Sequence, residues 1–103
     1  MTVTWYQAGM SILDETTIRA ALTELEGWHL DGNAIVRELR FDSFPAAIAF
    51  IDRIVPLAEA ANHHPELFNV YATVRVTLST HDAGGVTEKD LTLARQIDGV
   101  VAG

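Results

Sequence analysis

The segment 70–79 alternates apolar and polar residues with a period of two, and it constrains the fold more than any other part of the chain. One set of positions holds Val70, Ala72, Val74, Val76 and Leu78, and the other holds Tyr71, Thr73, Arg75, Thr77 and Ser79. This alternation predicts β-structure with one face on a core and the other in water or against a partner. The period does not distinguish one long strand from two strands joined by a tight turn near residues 69–73.

Two helices are predicted near the ends of the chain. Apolar residues at helical spacing predict the first over residues 14–25, with Asp14 as its N-cap and Gly27 as the left-handed residue after its end. Thr87, followed three residues later by Asp90, resembles a capping box and predicts the start of the last helix.

A hairpin and a central helix are predicted between them. Residues 28–30 and 34–41 have the pattern of short strands, and Asp31-Gly32-Asn33 between them is a strong turn signal. Ser43 is a candidate N-cap for a helix with a wide apolar stripe. Pro56 lies inside that helix, and we expect it to kink the helix or end its regular part.

The predicted element order is therefore α-β-β-α-β-(β)-α, without repeats or a linker. Antiparallel pairs interspersed with helices indicate the α+β class, in which the helices pack on one face of the sheet. A chain of 103 residues fits a single domain, so we expect residues 1–103 to form one.

Charge and composition exclude several kinds of partner. The formal net charge is −7, and the seven Lys and Arg residues form no cluster, so we expect neither nucleic acid nor an anionic membrane as a partner. No apolar run reaches roughly 18 residues, so we expect no membrane span. The N-terminal sequence MTVTWYQAGM has neither a basic nor a continuous apolar region, and we expect no secretory signal. The absence of cysteine suits a cytoplasmic protein.

Histidine is the most promising source of chemistry in this sequence. We interpret His29, in a short strand, as structural or exposed. His63 and His64 precede Pro65 in the connection before the alternating segment, and His81 follows that segment. Loops at the ends of neighbouring strands can converge. Two or three imidazoles, which gain or lose protons near neutral pH, suit general acid–base catalysis.

Two other interpretations of these histidines stay open. His63 could cap the central helix, where a cation complements the helix dipole, while His64 is solvated. Three imidazoles could instead bind zinc, although adjacent histidines are a poor ligand spacing and no nearby carboxylate clearly completes a set. Carboxylates often orient catalytic histidines, and Glu59 or Asp90 could do so here. The residue pattern alone does not choose among these interpretations.

A longer signature surrounds the histidines. It consists of Glu59, three residues, His63-His64-Pro65, five residues, Tyr71, nine residues, His81, eight residues and Asp90. This spacing closely resembles that of the pterin-4a-carbinolamine dehydratase family, and the similarity extends over nearly the whole chain after the first ten residues. Leu67 is a departure, since tryptophan is common there, and one wall of the pocket is expected to be less aromatic.

The resemblance implies a four-stranded antiparallel sheet with three helices on one face, and thus two strands in the alternating segment. It implies a catalytic cluster of His63, His64 and His81 without a metal or other cofactor. Substrate-binding positions implied in the same way are Pro65, Thr80, Asp82 and Ala83. Glu59 and Asp90 correspond to acidic positions that set the orientation or tautomer of a histidine.

The family's reaction is the loss of water from 4a-hydroxytetrahydropterin to give the quinonoid dihydropterin. It recycles the cofactor of aromatic amino acid hydroxylases, so the resemblance implies a pterin substrate, a functional link to such a hydroxylase and a homodimer or homotetramer. Two alternatives stay open. One is a pterin-binding or protein-interaction module, because animal relatives are dimerisation partners of a homeodomain transcription factor. The other is a relative that acts on a different pterin, such as a molybdopterin precursor.

Overall fold

The computed structural model describes residues 11–102, which form three helices and four strands. In chain order these are α1 (Glu15–Leu22), β1 (Trp28–Asp31), β2 (Ala34–Arg40), α2 (Phe44–Ala61), β3 (Glu66–Val70), β4 (Thr73–Leu78) and α3 (Glu88–Ala102). The strands form one antiparallel sheet in the order β1-β2-β4-β3, which confirms the α+β class. Residues 1–10, on which the expectation of no secretory signal rests, lie outside the described residues. Across residues 11–102, no helix is long and apolar enough to cross a bilayer.

Helix α1 begins where the sequence predicts and ends three residues early. Asp14 is its N-cap, and hydrogen bonds from the side chain and backbone N–H of Thr17 lower the pKa of the Asp14 carboxyl group. The helix ends at Leu22 because the N–H and hydroxyl of Thr23 both bond to a carbonyl three residues back. Gly27 has the predicted positive φ, 90°, but lies in the turn before β1. The predicted extension of the helix to residue 25 is wrong.

The sheet is built from two hairpins that each turn over two residues. In the first, Asp31 pairs with Ala34 around Gly32, whose φ of 62° favours a residue without a β-carbon. In the second, β3 and β4 pair with Val70 opposite Thr73. The alternating segment is therefore two strands rather than one.

The turn between β3 and β4 interrupts the alternation at one position. Ala72, Val74, Val76 and Leu78 are buried, as expected for the face that packs on the core. Val70 belongs to the same apolar set in the sequence but is 56% exposed, because the two-residue turn pairs it with Thr73 and so places its side chain on the face away from the core. Tyr71 occupies the turn with a φ of 50° and is not a cross-strand residue.

Helix α2 provides much of the core that covers the sheet. Ser43 is its N-cap, accepting a hydrogen bond of 3.2 Å from the N–H of Ala46, as predicted. The helix is continuous through Pro56, so the predicted end at that residue is wrong. Pro56 lies on the exposed side of the helix, where the carbonyl left without a donor can be hydrated. Four residues form the buried face: Ala47, Phe50, Ile54 and Ala58.

A polar bridge connects the first hairpin to α3. Asp98 Oδ1 accepts hydrogen bonds from Trp28 Nε1 at 2.8 Å and from Arg37 Nη1 at 2.6 Å. The Arg37 and Asp98 side chains are only 19% and 25% exposed, so water screens this pair less than it screens surface pairs. A β-carbon at Gly27 would lie 2.8 Å from Arg37 Nε, so the close approach of the guanidinium also requires glycine there.

We expect Asp98→Ala to lower the free energy of unfolding by about 2 kcal/mol, because Arg37 and Trp28 would lose their acceptor while remaining mostly buried. Urea denaturation followed by tryptophan fluorescence measures the change. Glu15→Ala is the matched control, since it breaks the Arg19–Glu15 pair, whose side chains are 62% and 65% exposed. That control should change stability by less than about 0.5 kcal/mol. Equal losses in the two variants would contradict the role given to the bridge.

Candidate active site

The end of α2 determines where the first two histidines leave the helix. Asn62 adopts a left-handed conformation with a φ of 49°, and its N–H bonds to the carbonyl of Glu59. The N–H of His63 bonds to the carbonyl of Ala58 at 3.0 Å, which completes a Schellman-type helix end. The backbone of His63 therefore caps the helix, whereas its side chain is free to point elsewhere.

The ring of His63 lies against the buried carboxylate of Asp90. His63 Nε2 is 2.5 Å from Asp90 Oδ1, and the two side chains are 9% and 0% exposed. Asp90 lies in the first turn of α3, whereas His63 follows α2, so this contact joins two helices distant in the sequence. A hydrogen bond to a carboxylate so well shielded from water restricts the orientation of the imidazole.

Two further donors bond to Asp90, and a second threonine hydroxyl bonds to one of them. Its Oδ2 accepts hydrogen bonds of 2.9 Å from the hydroxyl of Thr80 and of 2.9 Å from the N–H of Thr87. The two threonine hydroxyls are 2.7 Å apart. An ionised carboxylate only accepts hydrogen bonds, so in the tautomer that satisfies this contact the hydrogen shared with His63 lies on Nε2 of the ring. The Nδ1 atom of His63 is then the ring nitrogen left for proton exchange.

The other two histidines are more exposed. His64 Nε2 lies 2.7 Å from Glu59 Oε2, with side chains that are 59% and 69% exposed. His81 lies in an exposed turn that follows β4. A backbone pairing between Thr80 and Gly85 closes this turn. Among residues 11–102, the ring of His81 makes no hydrogen bond, so its two nitrogens are accessible to a ligand.

All three predicted catalytic histidines line one cleft with a volume of about 300 Å³. Thr80 and Asp82, two of the four predicted substrate-binding residues, line it as well. The other two do not. Pro65 lines a smaller apolar hollow next to His64, and Ala83 is half-buried in the turn after β4.

Three residues of this cleft were not predicted from the sequence, namely Asn62, Ser79 and Lys89. Each is next to a residue that was predicted, so proximity in the chain was the available signal. Lys89 places an ammonium group at the same cleft as the carboxylate of Asp82. Within the part of the chain that the structure describes, no three His, Cys, Asp or Glu side chains are arranged to hold a metal ion.

The fold and the cleft define a small α+β protein with a site suited to acid–base chemistry at three imidazoles. Residues 11–100 match the family described as "Pterin 4 alpha carbinolamine dehydratase". The chain belongs to this family. Similar proteins include one from Chloroflexus aurantiacus named "Putative pterin-4-alpha-carbinolamine dehydratase", which is 49% identical over 89% of this chain and 99% of its own length. A protein of the same name from Sulfurisphaera tokodaii is 43% identical over 86% of this chain and 96% of its own length.

Two solved structures share the fold. A transcriptional coactivator/pterin dehydratase from Brucella melitensis is 41% identical, with a TM-score of 0.83 over 87% of this chain and 98% of that chain. A pterin dehydratase-like protein described as a RuBisCO assembly factor in the alpha-carboxysome has a TM-score of 0.65 over 76% of this chain and 93% of its own. At 21% identity, the second similarity concerns the fold alone.

We expect Asp90→Ala to lower the free energy of unfolding by about 3 kcal/mol, since it leaves His63, Thr80 and the N–H of Thr87 without an acceptor in a buried place. Glu59→Ala is the matched control, because it removes the carboxylate partner of an exposed histidine. Chemical denaturation of the two variants should show little change for Glu59→Ala. A loss of stability for Asp90→Ala no larger than for the control would contradict the buried network.

Proposed function

We propose that this protein removes water from 4a-hydroxytetrahydropterin to give the quinonoid dihydropterin. The observation that carries the proposal is the convergence of His63, His64 and His81 on one cleft, with the ring of His63 oriented by a buried carboxylate. Membership in the pterin 4 alpha carbinolamine dehydratase family supports the same reaction.

The reaction requires two proton transfers. The departing 4a-hydroxyl accepts a proton and leaves as water when the C4a–O bond breaks. The N5–H proton is removed, and the electrons of that N–H bond form the C4a=N5 double bond, so no external oxidant or reductant is needed. A positioned acid or base typically contributes about 10²–10⁴-fold to such a step.

The geometry supports distinct roles for the three histidines. His63 exchanges a proton through Nδ1, because Nε2 is bonded to Asp90. His81 is the second proton-exchanging group, since neither of its ring nitrogens is occupied by another described residue. His64, paired with Glu59, holds the pterin ring at the mouth of the cleft. Asp90 and Glu59 are positioning residues.

The four predicted substrate-binding residues receive proposed roles from their positions relative to the cleft. Asp82 lines the cleft and offers a carboxylate to the amino and ring N–H groups of a pterin. Thr80 also lines the cleft, but its hydroxyl is bonded to Asp90, so we assign it to holding that carboxylate. Pro65 and Ala83 adjoin His64 and Asp82 in the chain, and we propose that they shape the edges of the pocket.

The first test is the dehydration of chemically generated 4a-hydroxytetrahydropterin, followed by ultraviolet absorbance. We expect the protein to accelerate the reaction well above the spontaneous rate and His81→Ala to lose about 10²-fold or more in kcat. Gln96→Ala, on the exposed side of α3, should keep the full rate. No acceleration by the folded protein would refute the dehydratase proposal, and full activity of His81→Ala would refute the role of that residue.

We also propose that the protein is a homodimer or homotetramer. Strand β3 is an edge strand with exposed apolar side chains, including Leu67 at 40%, Phe68 at 49% and Val70 at 56%. An edge strand presents unpaired N–H and C=O groups, and an apolar one is a template for pairing with a second copy. The β3 edge is therefore the proposed contact between subunits.

A charged residue on this edge should oppose assembly. We expect Val70→Lys to split the oligomer at this contact, giving monomers from a dimer or dimers from a tetramer in size-exclusion chromatography with light scattering, because lysine on an edge strand disfavours strand pairing. Ile12→Lys is the matched control, since Ile12 is similarly exposed, at 55%, but lies before α1 and beside Gly85. This control should keep the wild-type mass. A Val70→Lys protein with the mass of the wild type would rule out the β3 contact.

The proposed physiological setting follows from the reaction. Aromatic amino acid hydroxylases use the pterin cofactor that this dehydration recycles, so we propose a functional link to such a hydroxylase. We place the reaction in the cytoplasm, where a chain without cysteine needs no oxidising compartment to fold.

A second candidate function is protein interaction. An apolar groove of about 410 Å³ lies between α2 and α3 and is lined in part by Leu57, Ala60, Ala61 and Leu93. Exposed apolar grooves commonly bind other proteins. The name of the Brucella melitensis protein, which includes transcriptional coactivator, supports this candidate. Such binding does not use the histidines, so His81→Ala would leave it unchanged.

A further inference from the structure

A second polar cleft lies on the face of the sheet that the helices leave open. It has a volume of about 730 Å³ and extends across all four strands, reaching β3 at Glu66. His29, for which the sequence predicted a structural or exposed role, lines this cleft together with Thr77 on β4. The open face of the sheet is therefore a concave surface with hydrogen-bonding groups.

This sheet-face cleft is continuous with the histidine cleft. His64, Ser79 and His81 line both of them, so a ligand held among the three histidines has direct access to the sheet face. The histidine cleft, at about 300 Å³, is the smaller of the two. A substituent on a ring bound there can therefore extend past Ser79 onto the sheet.

The charges of the sheet-face cleft restrict what it can bind. Its lining has three carboxylates, on Asp31, Glu38 and Glu66, and one guanidinium, on Arg75. Arg75 Nη2 is 3.9 Å from Glu38 Oε2, and the Arg75 guanidinium also lies over the ring of Phe68, 4.7 Å from its centroid. The single cation is thus already engaged, and the remaining carboxylates repel anions.

We propose that the sheet-face cleft is a subsite for an uncharged, hydroxylated substituent on the pterin and that it disfavours a phosphorylated one. The carboxylates and Thr77 accept hydrogen bonds from hydroxyl groups, and His29 and Thr77 donate to them. The proposal rests on the proposed dehydratase function. It identifies His29 and Thr77 as specificity-determining residues, and it disfavours substrates that carry phosphate.

The test compares three 4a-hydroxytetrahydropterins whose substituent at carbon 6 is methyl, dihydroxypropyl or a phosphorylated hydroxyalkyl group. For the wild type we expect KM to be about tenfold lower for dihydroxypropyl than for methyl, and highest for the phosphorylated compound. His29→Ala and Thr77→Val should each raise KM for the dihydroxypropyl compound by about three- to tenfold, the effect of losing one hydrogen bond. KM for the methyl compound and kcat for both should stay unchanged.

Changing the charge of the sheet-face cleft tests the proposal independently. Glu38→Lys, on the interior strand β2, should lower KM for the phosphorylated compound several-fold, whereas Glu24→Lys, the same change at an exposed site outside both clefts, should not. Equal KM values for the three compounds in the wild type would overturn the subsite and leave the dehydratase proposal standing. A rise in KM for the methyl compound in His29→Ala and Thr77→Val, as large as for dihydroxypropyl, would also overturn it. A wild type that dehydrates none of the three would overturn both proposals.

Discussion

The buried carboxylate of Asp90 is the interaction on which the candidate site depends. It connects the start of α3, the residue after α2 and the turn after β4 through His63, Thr80 and Thr87. A carboxylate removed from water is costly unless each oxygen has partners, and here both oxygens have them. The same bonds that offset the burial of Asp90 also orient the ring of His63, so stability and proposed catalysis share one set of contacts.

The rest of the fold positions this network. The helices cover one face of the sheet, with the bridge from Asp98 to Arg37 and Trp28 joining α3 to the first hairpin. The other face remains open, and both clefts meet where β4 ends at that face, beside Ser79 and His81. Helix α3 supplies Asp90 at its start and Asp98 near its end. One helix therefore anchors both the candidate site and the first hairpin.

Local patterns predicted much of this structure. N-capping by Asp14 and Ser43 depends on contacts within one helical turn, which the sequence contains in full. The end of α1 was predicted wrongly, and so was the alternative that α2 ends at Pro56, because each depends on competition between local bonds or on exposure to water. The choice between one strand and two also needed more than periodicity, since Val70 and Val74 fit either arrangement.

The sequence by itself determined the element order, the apolar faces and the family signature, because these are carried by residue types and short spacings. It also identified His63, His64 and His81 as candidates. Only the tertiary structure decided that these three residues share one cleft, that Asp90 rather than Glu59 is the buried partner, and that His29 lines a cleft next to them. The physical reason is that burial and contact between distant residues depend on how the helices pack across the sheet, which short spacings do not encode.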